Sequence, residues 1–297
     1  VNAVNDKEIS VVIVSYNTAD LIGGCLASVE DGQGVKLEIF VVDNASTDKS
    51  AEAVRKGFPA VHLVENPENR GFGAANNQVL SQCRGRYLVL LNPDTVVSPG
   101  AFREMAAYMD AHPRVGLAGP RITNPDGSHQ DSVSFRYPGQ KYTSGELDGL
   151  SGSIACVMGA CQIVRPELMK RIGGFDEDFF LYGEDQDLCL RIRRSGYEIG
   201  YVESAVVVHH GGKSERGSTP PEVWKKKMNA EYLFYEKHYR TGSVRKIMKA
   251  HLAKARWRLA ILGLSLPFAA DRAAAEGKMH KYRALEEVVR QQRSRPR

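Results

Sequence analysis

Short apolar runs alternate with segments of helical period along the first third of the chain. Ile9–Ser15 (ISVVIVS) is a β-branched run that stops at turn-forming residues, and Leu21, Leu26 and Val29 follow at helical spacing. The alternation then repeats, predicting strands over Leu37–Val42, Val61–Glu65 and Tyr87–Leu91 and helices over Ala51–Phe58 and Ala74–Gln82. Strands this apolar need cover on both faces, so the pattern predicts an α/β architecture: a Rossmann-like, mostly parallel sheet flanked by helices. Beyond Pro120 the alternation loosens. Asp126–Ser153 is rich in Gly, Ser and polar residues and reads as a long functional loop. A strand within Ile154–Val164 and helices over Pro166–Ile172 and Asp185–Ser195 follow it, and from Val223 the chain reads as helical, with a disordered tip at Gln291–Arg297. The expected organisation is a catalytic domain over 1–222, with a nucleotide half at 1–120 and an acceptor half at 121–222, and a helical C-terminal extension over 223–297.

Composition adds a compartment and a surface. A chain of 297 residues with 42% hydrophobic content can bury a large core, which argues against disorder. The five cysteines are odd in number, form no CxxC pair and mostly sit in apolar runs, as expected in a reducing compartment. The N-terminal residues lack the basic-then-apolar order of a secretory signal. The apolar stretch Leu259–Ala270 has 12 residues and contains Pro267, whereas a membrane span needs roughly 20. The formal charge of +5 hides an asymmetry: residues 222–297 carry +12 and the preceding 221 residues −7. In that basic tail Val244, Met248, Leu252, Ala255, Leu259, Leu262 and Leu266 recur at helical spacing, and no acidic residue occurs from Thr241 to Ala270. The stripe fits an amphipathic helix lying on an anionic membrane surface, or one packed on protein or across a homodimer. Nucleic acid is a poor partner, because the aromatic-basic interleaving of single-strand binding is sparse here.

Ligands of parallel sheets bind beyond the C-terminal ends of the strands, which singles out Ser15-Tyr16-Asn17, Asp43-Asn44 and Asn92-Pro93-Asp94. The Asp43 carboxylate can accept a base N–H, whereas Ser46 and Thr47 read as helix caps. In ENRGFGAANNQ (68–78) a glycine-containing connection opens a helix, so backbone N–H groups near Gly71 and Asn76 can face a phosphate or nucleoside, and Arg70 adds a permanent charge. A cation held by Asp94 would bridge two phosphates and offset charge on a leaving group. Gly173–Arg191 packs six carboxylates before a helix. One of them, Asp185, is placed to remove a proton from an attacking hydroxyl, although acids also stabilise helix N-termini without catalysis. His209-His210 closes the apolar run YVESAVVV; an imidazole there can complete a metal shell, and Lys213 and Arg216 can clamp a diphosphate.

In the order VVIVSYN, VVDNASTD, ENRGFGAANN, LLNPDT, Gly159-Ala160, GGFDEDFFLYGEDQDLCLR and HHGGKS, these segments resemble glycosyltransferase family 2, in particular bacterial rhamnosyltransferase-like members, over residues 8–240. The resemblance implies a GT-A fold, a nucleotide-diphosphate sugar donor, Mg²⁺ or Mn²⁺, and displacement with inversion at the anomeric carbon. Carried over by position, Asp43 is the base-recognising carboxylate, Asp94 the last acid of the metal motif, His210 a metal ligand and Asp185 the general base. Gly159, Tyr182 and Glu184 fall on the acceptor side. Asn92 stands where many relatives have the first acid of the metal motif. The QxxRW motif and membrane helices of processive synthases are missing, so transfer of one or a few sugars is expected. The resemblance favours dTDP-rhamnose, then a UDP-sugar, as donor. It further implies a polyprenyl-diphosphate-linked saccharide as acceptor and a cytoplasmic enzyme held at the inner face of the membrane. A sugar-phosphate nucleotidyltransferase and a non-catalytic nucleotide-sugar or nucleic-acid binder are the rival readings; the first lacks a Gly-rich, basic phosphate loop after Ile9–Ser15.

Overall fold

The computed structural model describes residues 8–211, 219–266 and 271–294. The order of elements begins β1 (Ile9–Ser15), α1 (Ile22–Glu30), β2 (Leu37–Asp43), α2 (Ser50–Gly57), β3 (His62–Glu65), α3 (Phe72–Leu80) and β4 (Tyr87–Leu91). It continues with β5 (Thr95–Val97), α4 (Ala101–Ala111), β6 (Val115–Thr123), β7 (Val133–Ser134), β8 (Cys156–Val157), β9 (Cys161–Val164), α5 (Pro166–Ile172), α6 (Glu184–Arg194) and β10 (Glu198–His209). Three helices end it: α7 (Pro220–His238), α8 (Thr241–Ser265) and α9 (Arg272–Ser294).

Eight strands form one sheet in the order β3-β2-β1-β4-β9-β6-β10-β5. Pairing is parallel from β3 to β4 and between β6 and β10, whereas β9 runs antiparallel to both its neighbours and β5 runs antiparallel to β10. β1 shows why Val11–Val14 had to be apolar at successive positions. Val11 and Ile13 face a layer with Cys25, Leu26 and Val29 of α1 and Phe102, Met105 and Met109 of α4. Val12 and Val14 face the opposite layer, with Ala75 and Val79 of α3 and Leu188 and Ile192 of α6. Side chains alternate across a strand, so a strand covered on both faces is apolar at every position.

The sequence expectations need correcting in several places. Ile154–Val164 is two short strands, β8 and β9, split by Met158-Gly159-Ala160. α3 starts at Phe72, directly after Gly71, rather than at Ala74. β9 inserts between β4 and β6, so strands from both sides of residue 120 share one sheet. Gln291–Ser294 belong to α9 rather than to a disordered tip, with Gln292 buried in its packing.

Two compact units result. The first comprises the described residues of Val1–Tyr137, Leu150–Phe180 and Glu184–Ser214; the second comprises those of Pro138–Gly149, Leu181–Gly183 and Glu215–Arg297. The segment 138–149 groups with the helices because Tyr239 donates its hydroxyl to Pro138 O (2.6 Å) and the Arg240 N–H bonds the Glu146 carboxylate (3.1 Å). Within the second unit Val244, Met248 and Ala255 of the expected apolar stripe are buried, against an α9 face of Ala284, Leu285, Val288 and Val289. Those three positions form a seam within the second unit, whereas Leu252, Leu259, Leu262 and Leu266 are half-buried. The opposite face of α8 carries Trp257, Ile261 and Leu264, spaced i, i+4, i+7 and all exposed, which the sequence reading passed over except for Trp257. Among the described residues no helix is long and apolar enough to cross a membrane.

Candidate active site

The C-terminal ends of β1, β2 and β4 line up: Ser15 pairs with Asp43, and Ile13 with Leu91. Asp43 and the Asn92-Pro93-Asp94 turn therefore leave the sheet on one rim. The antiparallel β9 begins at the same rim, since Cys161 pairs with Leu91 and the Asn92 N–H donates to Ala160 O (2.9 Å). Gly159, one residue earlier, donates its N–H to the Asp185 carboxylate, and a Cβ at Gly159 would sit 3.4 Å from that of Asp185. Asp43, Asp94, Gly159 and Asp185 thus belong to a single rim although 142 residue numbers separate the first from the last.

Each carboxylate has a distinct setting. Asp43 is 4% exposed; its Oδ2 accepts the Ser46 N–H (3.0 Å), while its Oδ1 is buried with no hydrogen-bond partner. An acceptor left in that state costs free energy until a donor reaches it. Asp185 opens α6 and accepts the Gln186 N–H (2.8 Å). Dehydration raises its pKa above the ordinary aspartate value, against the hydrogen bonds from Gln186 and Gly159 that lower it. Glu184 is raised as well, first by burial and then by the negative charge of Asp185, and its Oε2 is buried without a partner. Two adjacent acids that resist double ionisation are suited to holding one proton between them.

Asp94 is 5% exposed. The antiparallel pairing of β5 with β10 sets His209 opposite Thr95, and this brings the His209 Nε2 to 3.4 Å from the Asp94 Oδ1. The residues alone leave His209 and His210 open and the resemblance points to His210, but that residue meets Asp94 through its backbone, its N–H donating to Asp94 O (3.0 Å), and its side chain is exposed. The reason is strand alternation: neighbouring residues point to opposite sides. Beside a carboxylate oxygen an imidazole nitrogen suits Mn²⁺ more readily than Mg²⁺, which prefers oxygen ligands, and Asp94 with His209 fits such a divalent ion as a two-ligand set. Among the described residues no group of three or more His, Cys, Asp or Glu converges to hold a metal alone.

Other residues expected at the donor serve the scaffold. Asn44 is 2% exposed, and its amide binds Asn69 Oδ1, Gly71 O, Asn66 Nδ2 and the Arg70 N–H. Ser15 is buried against Thr18 Oγ1 (2.7 Å). Asn17, with φ at 53°, accepts the Thr47 N–H (2.8 Å) and ties the β1 loop to the β2 loop. Asn76 is 1% exposed and caps Phe72 O within its own helix (2.9 Å). The N–H groups expected to cradle a phosphate are also taken: that of Gly71 by Asn69 Oδ1 (3.0 Å) and that of Phe72 by Phe180 O (2.9 Å). Gly71, at φ 83°, is needed because a Cβ would meet Phe180 O at 2.8 Å. Tyr16, Arg70 and Asn92 keep solvent exposure at the rim. Tyr182 belongs to the second unit, where the Lys227 ammonium lies 5.0 Å from its ring centroid. Lys213 and Arg216 lie outside the described residues.

Sequence reasoning missed two anchors of the acidic loop. Asn77 donates to Phe175 O and accepts the Phe175 N–H, both at 2.9 Å, so α3 grips the loop before α6. Asp187 is fully buried and pairs with Arg191 (2.7 Å), whose Nη1 donates to Ile172 O (3.0 Å) and Gly174 O (2.7 Å). The i, i+4 spacing of Asp187 and Arg191 in EDQDLCLR was the available signal.

The profile of glycosyl transferase family 2 matches residues 10–173, and that described as the N-terminal domain of galactosyltransferase matches residues 150–211. The chain belongs to glycosyl transferase family 2. It is 28% identical over 254 residues to the N-acetylglucosaminyl-diphospho-decaprenol L-rhamnosyltransferase of Mycobacterium tuberculosis, covering 75% of this chain and 82% of that protein. Its fold is similar to that of the mannosyltransferase PcManGT from Pyrobaculum calidifontis, solved with GDP-Man and Mn²⁺: TM-score 0.61 and 21% identity, over 97% of this chain and 88% of that one. Residues 1–349 of S. aureus TarS match with a TM-score of 0.55 and 18% identity, over 96% and 92% of the two chains. The protein is a glycosyltransferase of GT-A fold, which sets aside the nucleotidyltransferase and non-catalytic readings.

Proposed function

We propose that this enzyme transfers L-rhamnose from dTDP-rhamnose, with inversion, to a saccharide hydroxyl on a polyprenyl-diphosphate carrier, in the assembly of a cell-envelope polysaccharide. The observation that carries the reaction type is Asp185 at the tip of α6, hydrogen-bonded to Gly159 on the rim where Asp94 also emerges. The sugar and carrier follow the M. tuberculosis relative, and the dTDP nucleotide follows the family resemblance. In this reading the orphaned Oδ1 of Asp43 accepts the base N–H, and Tyr16 and Arg70 border the nucleotide. Asp94 and His209 would hold Mg²⁺ or Mn²⁺. When bound, the cation neutralises the charge that builds on the departing nucleoside diphosphate. Asp185 takes the proton of the attacking hydroxyl as its oxygen reaches the anomeric carbon from the face opposite the leaving group. Glu184, protonated beside it, offers that hydroxyl a hydrogen bond.

The test is a transfer assay. With N-acetylglucosaminyl-diphospho-polyprenol as acceptor, dTDP-rhamnose is expected to give a labelled lipid product in the presence of Mn²⁺, and UDP-N-acetylglucosamine and GDP-mannose little or none. Product from a UDP-sugar alone would reassign the donor and leave the site intact.

For a lipid-linked acceptor we place the enzyme at the inner face of the cytoplasmic membrane, held by the exposed Trp257, Ile261 and Leu264 face of α8. Lys254 and Arg258 flank that face, Arg258 lying 4.8 Å from the Trp257 ring centroid. Each basic residue near an anionic bilayer contributes about 1 kcal/mol. In vesicle flotation the protein is expected to rise with phosphatidylglycerol vesicles and stay behind with phosphatidylcholine, and replacing the three apolar residues by Ser should abolish the rise. Unchanged flotation of that variant would remove this face from the proposal, and dimer dissociation in the variant would assign the face to a second copy.

A further inference from the structure

His209 can act toward a cation only through a nitrogen that carries no proton, so something must decide which ring nitrogen that is. The deciding contacts start in the loop after β6. Asn124, Asp126, Ser128 and Gln130 form a tight turn closed by Asn124 N–H to Ser128 O (2.8 Å), Gly127 N–H to Asn124 O (2.9 Å) and Gln130 N–H to Ile122 O (3.0 Å). Their side chains form a directional series. The Ser128 hydroxyl donates to Asp126 Oδ1 (2.6 Å), so its oxygen is left to accept the Asn124 amide N–H (2.9 Å). Asn124 then presents Oδ1, which accepts the Gln130 amide N–H (3.0 Å). Gln130 in turn presents Oε1 to the His209 Nδ1 at 2.8 Å.

An ionised carboxylate is an acceptor only, and each amide has one accepting and one donating end. Once the Asp126 end is fixed, every later orientation follows, and the His209 Nδ1 must carry the proton. The hydrogen bonds that Ser128 gives to Asp126 hold that carboxylate below its ordinary range, so it is ionised at neutral pH. In the neutral ring the Nε2 lone pair then faces the Asp94 Oδ1 at 3.4 Å. Two acceptors face each other there, an arrangement that a cation between them would relieve.

We infer that Gln130 is a positioning residue: through the Asp126–Ser128–Asn124–Gln130 series it fixes the Nδ1–H tautomer of His209 and so keeps Nε2 bare toward Asp94. No surface signal marked this role, because Gln130 touches neither substrate nor metal in the proposed reaction and acts only through the ring. The inference rests on the reading that His209 and Asp94 hold the cation, but its first readout is taken without metal and stands apart from donor, acceptor or turnover.

The experiment uses full-length protein labelled with ¹⁵N-histidine, stripped of metal and held above neutral pH, with the His209 resonance assigned by its loss in His209→Ala. Wild type is expected to show Nδ1 protonated and Nε2 bare. In Gln130→Leu the ring loses its acceptor at Nδ1, and the population is expected to move toward Nε2–H, which can donate to Asp94. Mn²⁺ affinity, read from the free-ion electron paramagnetic resonance signal, should fall by about 10–100-fold, the usual effect of losing such a supporting contact. Gln130→Glu, which still accepts from Nδ1–H, should restore both the tautomer and the affinity. Ser128→Ala lies on the exposed turn and tests the series without disturbing the core; it should yield a mixture of tautomers. An Nε2–H ring in the wild type would overturn the inference, as would a pure Nδ1–H ring in both Gln130→Leu and Ser128→Ala. A wild-type tautomer shift on Gln130→Leu with unchanged Mn²⁺ affinity would keep the positioning role and reject the cation-site reading instead.

Discussion

Replacing Asp185 with Asn lowers turnover by about 10²–10⁴-fold, the range for losing a general base, and leaves the donor affinity unchanged. The substitution keeps the size of the side chain and an oxygen for the N–H groups of Gln186 and Gly159, so the tip of α6 stays in place. It removes only the ability to take a proton. A pH profile separates this from a structural effect. The ionised carboxylate is the working form and burial raises its pKa, so turnover of the wild type declines as pH falls through a value above the ordinary aspartate range. The Asn variant should lose that acidic limb. Single-turnover rates at saturating donor, measured beside donor affinity by calorimetry, make the comparison. Near-normal turnover in the variant would reject Asp185 as the base.

The second large effect is on stability. Asp187→Ala should destabilise the protein by about 3–5 kcal/mol, because it leaves the Arg191 guanidinium, one-fifth exposed, without its carboxylate. Arg191 also holds Ile172 O and Gly174 O, so the loss loosens the chain that leads into the acidic loop. Urea unfolding of the purified variant measures the cost. A loss under 1 kcal/mol would mean that water reaches Arg191 and replaces its partner. A fully folded sample at low temperature is expected to retain donor binding, since neither residue lies at the Asp43 end of the rim.

Much of the fold was legible because β4 and the runs Val11–Val14 of β1 and Ile39–Val42 of β2 are apolar at successive positions, and that demand can be met only between two layers of helices. The rim was legible for the same reason: the polar residues that close an apolar run stand at the edge of the sheet, which marks Asp43 and the Asn92-Pro93-Asp94 turn. What escaped was set by pairing between distant strands. Nothing near His209 in sequence announces that β5, three residues long, will pair with the end of β10 and turn that ring, rather than His210, toward Asp94. The seam of α8 escaped differently. A helical stripe of Val, Met, Ala and Leu satisfies a bilayer and a neighbouring helix equally well, and only α9, some thirty residues on, shows which it meets. Asn44 looked like a ligand contact because it follows a strand end, and Asn76 because it lies in the helix opened by the glycine connection; here the backbone of the 69–71 loop and the Phe72 carbonyl take up their amides.

In the proposed reaction, the grip of Asn77 on Phe175, together with the Phe72–Phe180 hydrogen bond, joins the nucleotide-side loop to the loop that leads to Asp185. Those walls are assembled when the chain folds, before any sugar arrives. The freedom lost in ordering them is charged to the folding equilibrium, so little of the donor's binding free energy is consumed in arranging them. Evolution can then alter the sugar recognised by changing residues that line the rim, while an exchange of either loop alone would import a stretch whose counterpart no longer fits.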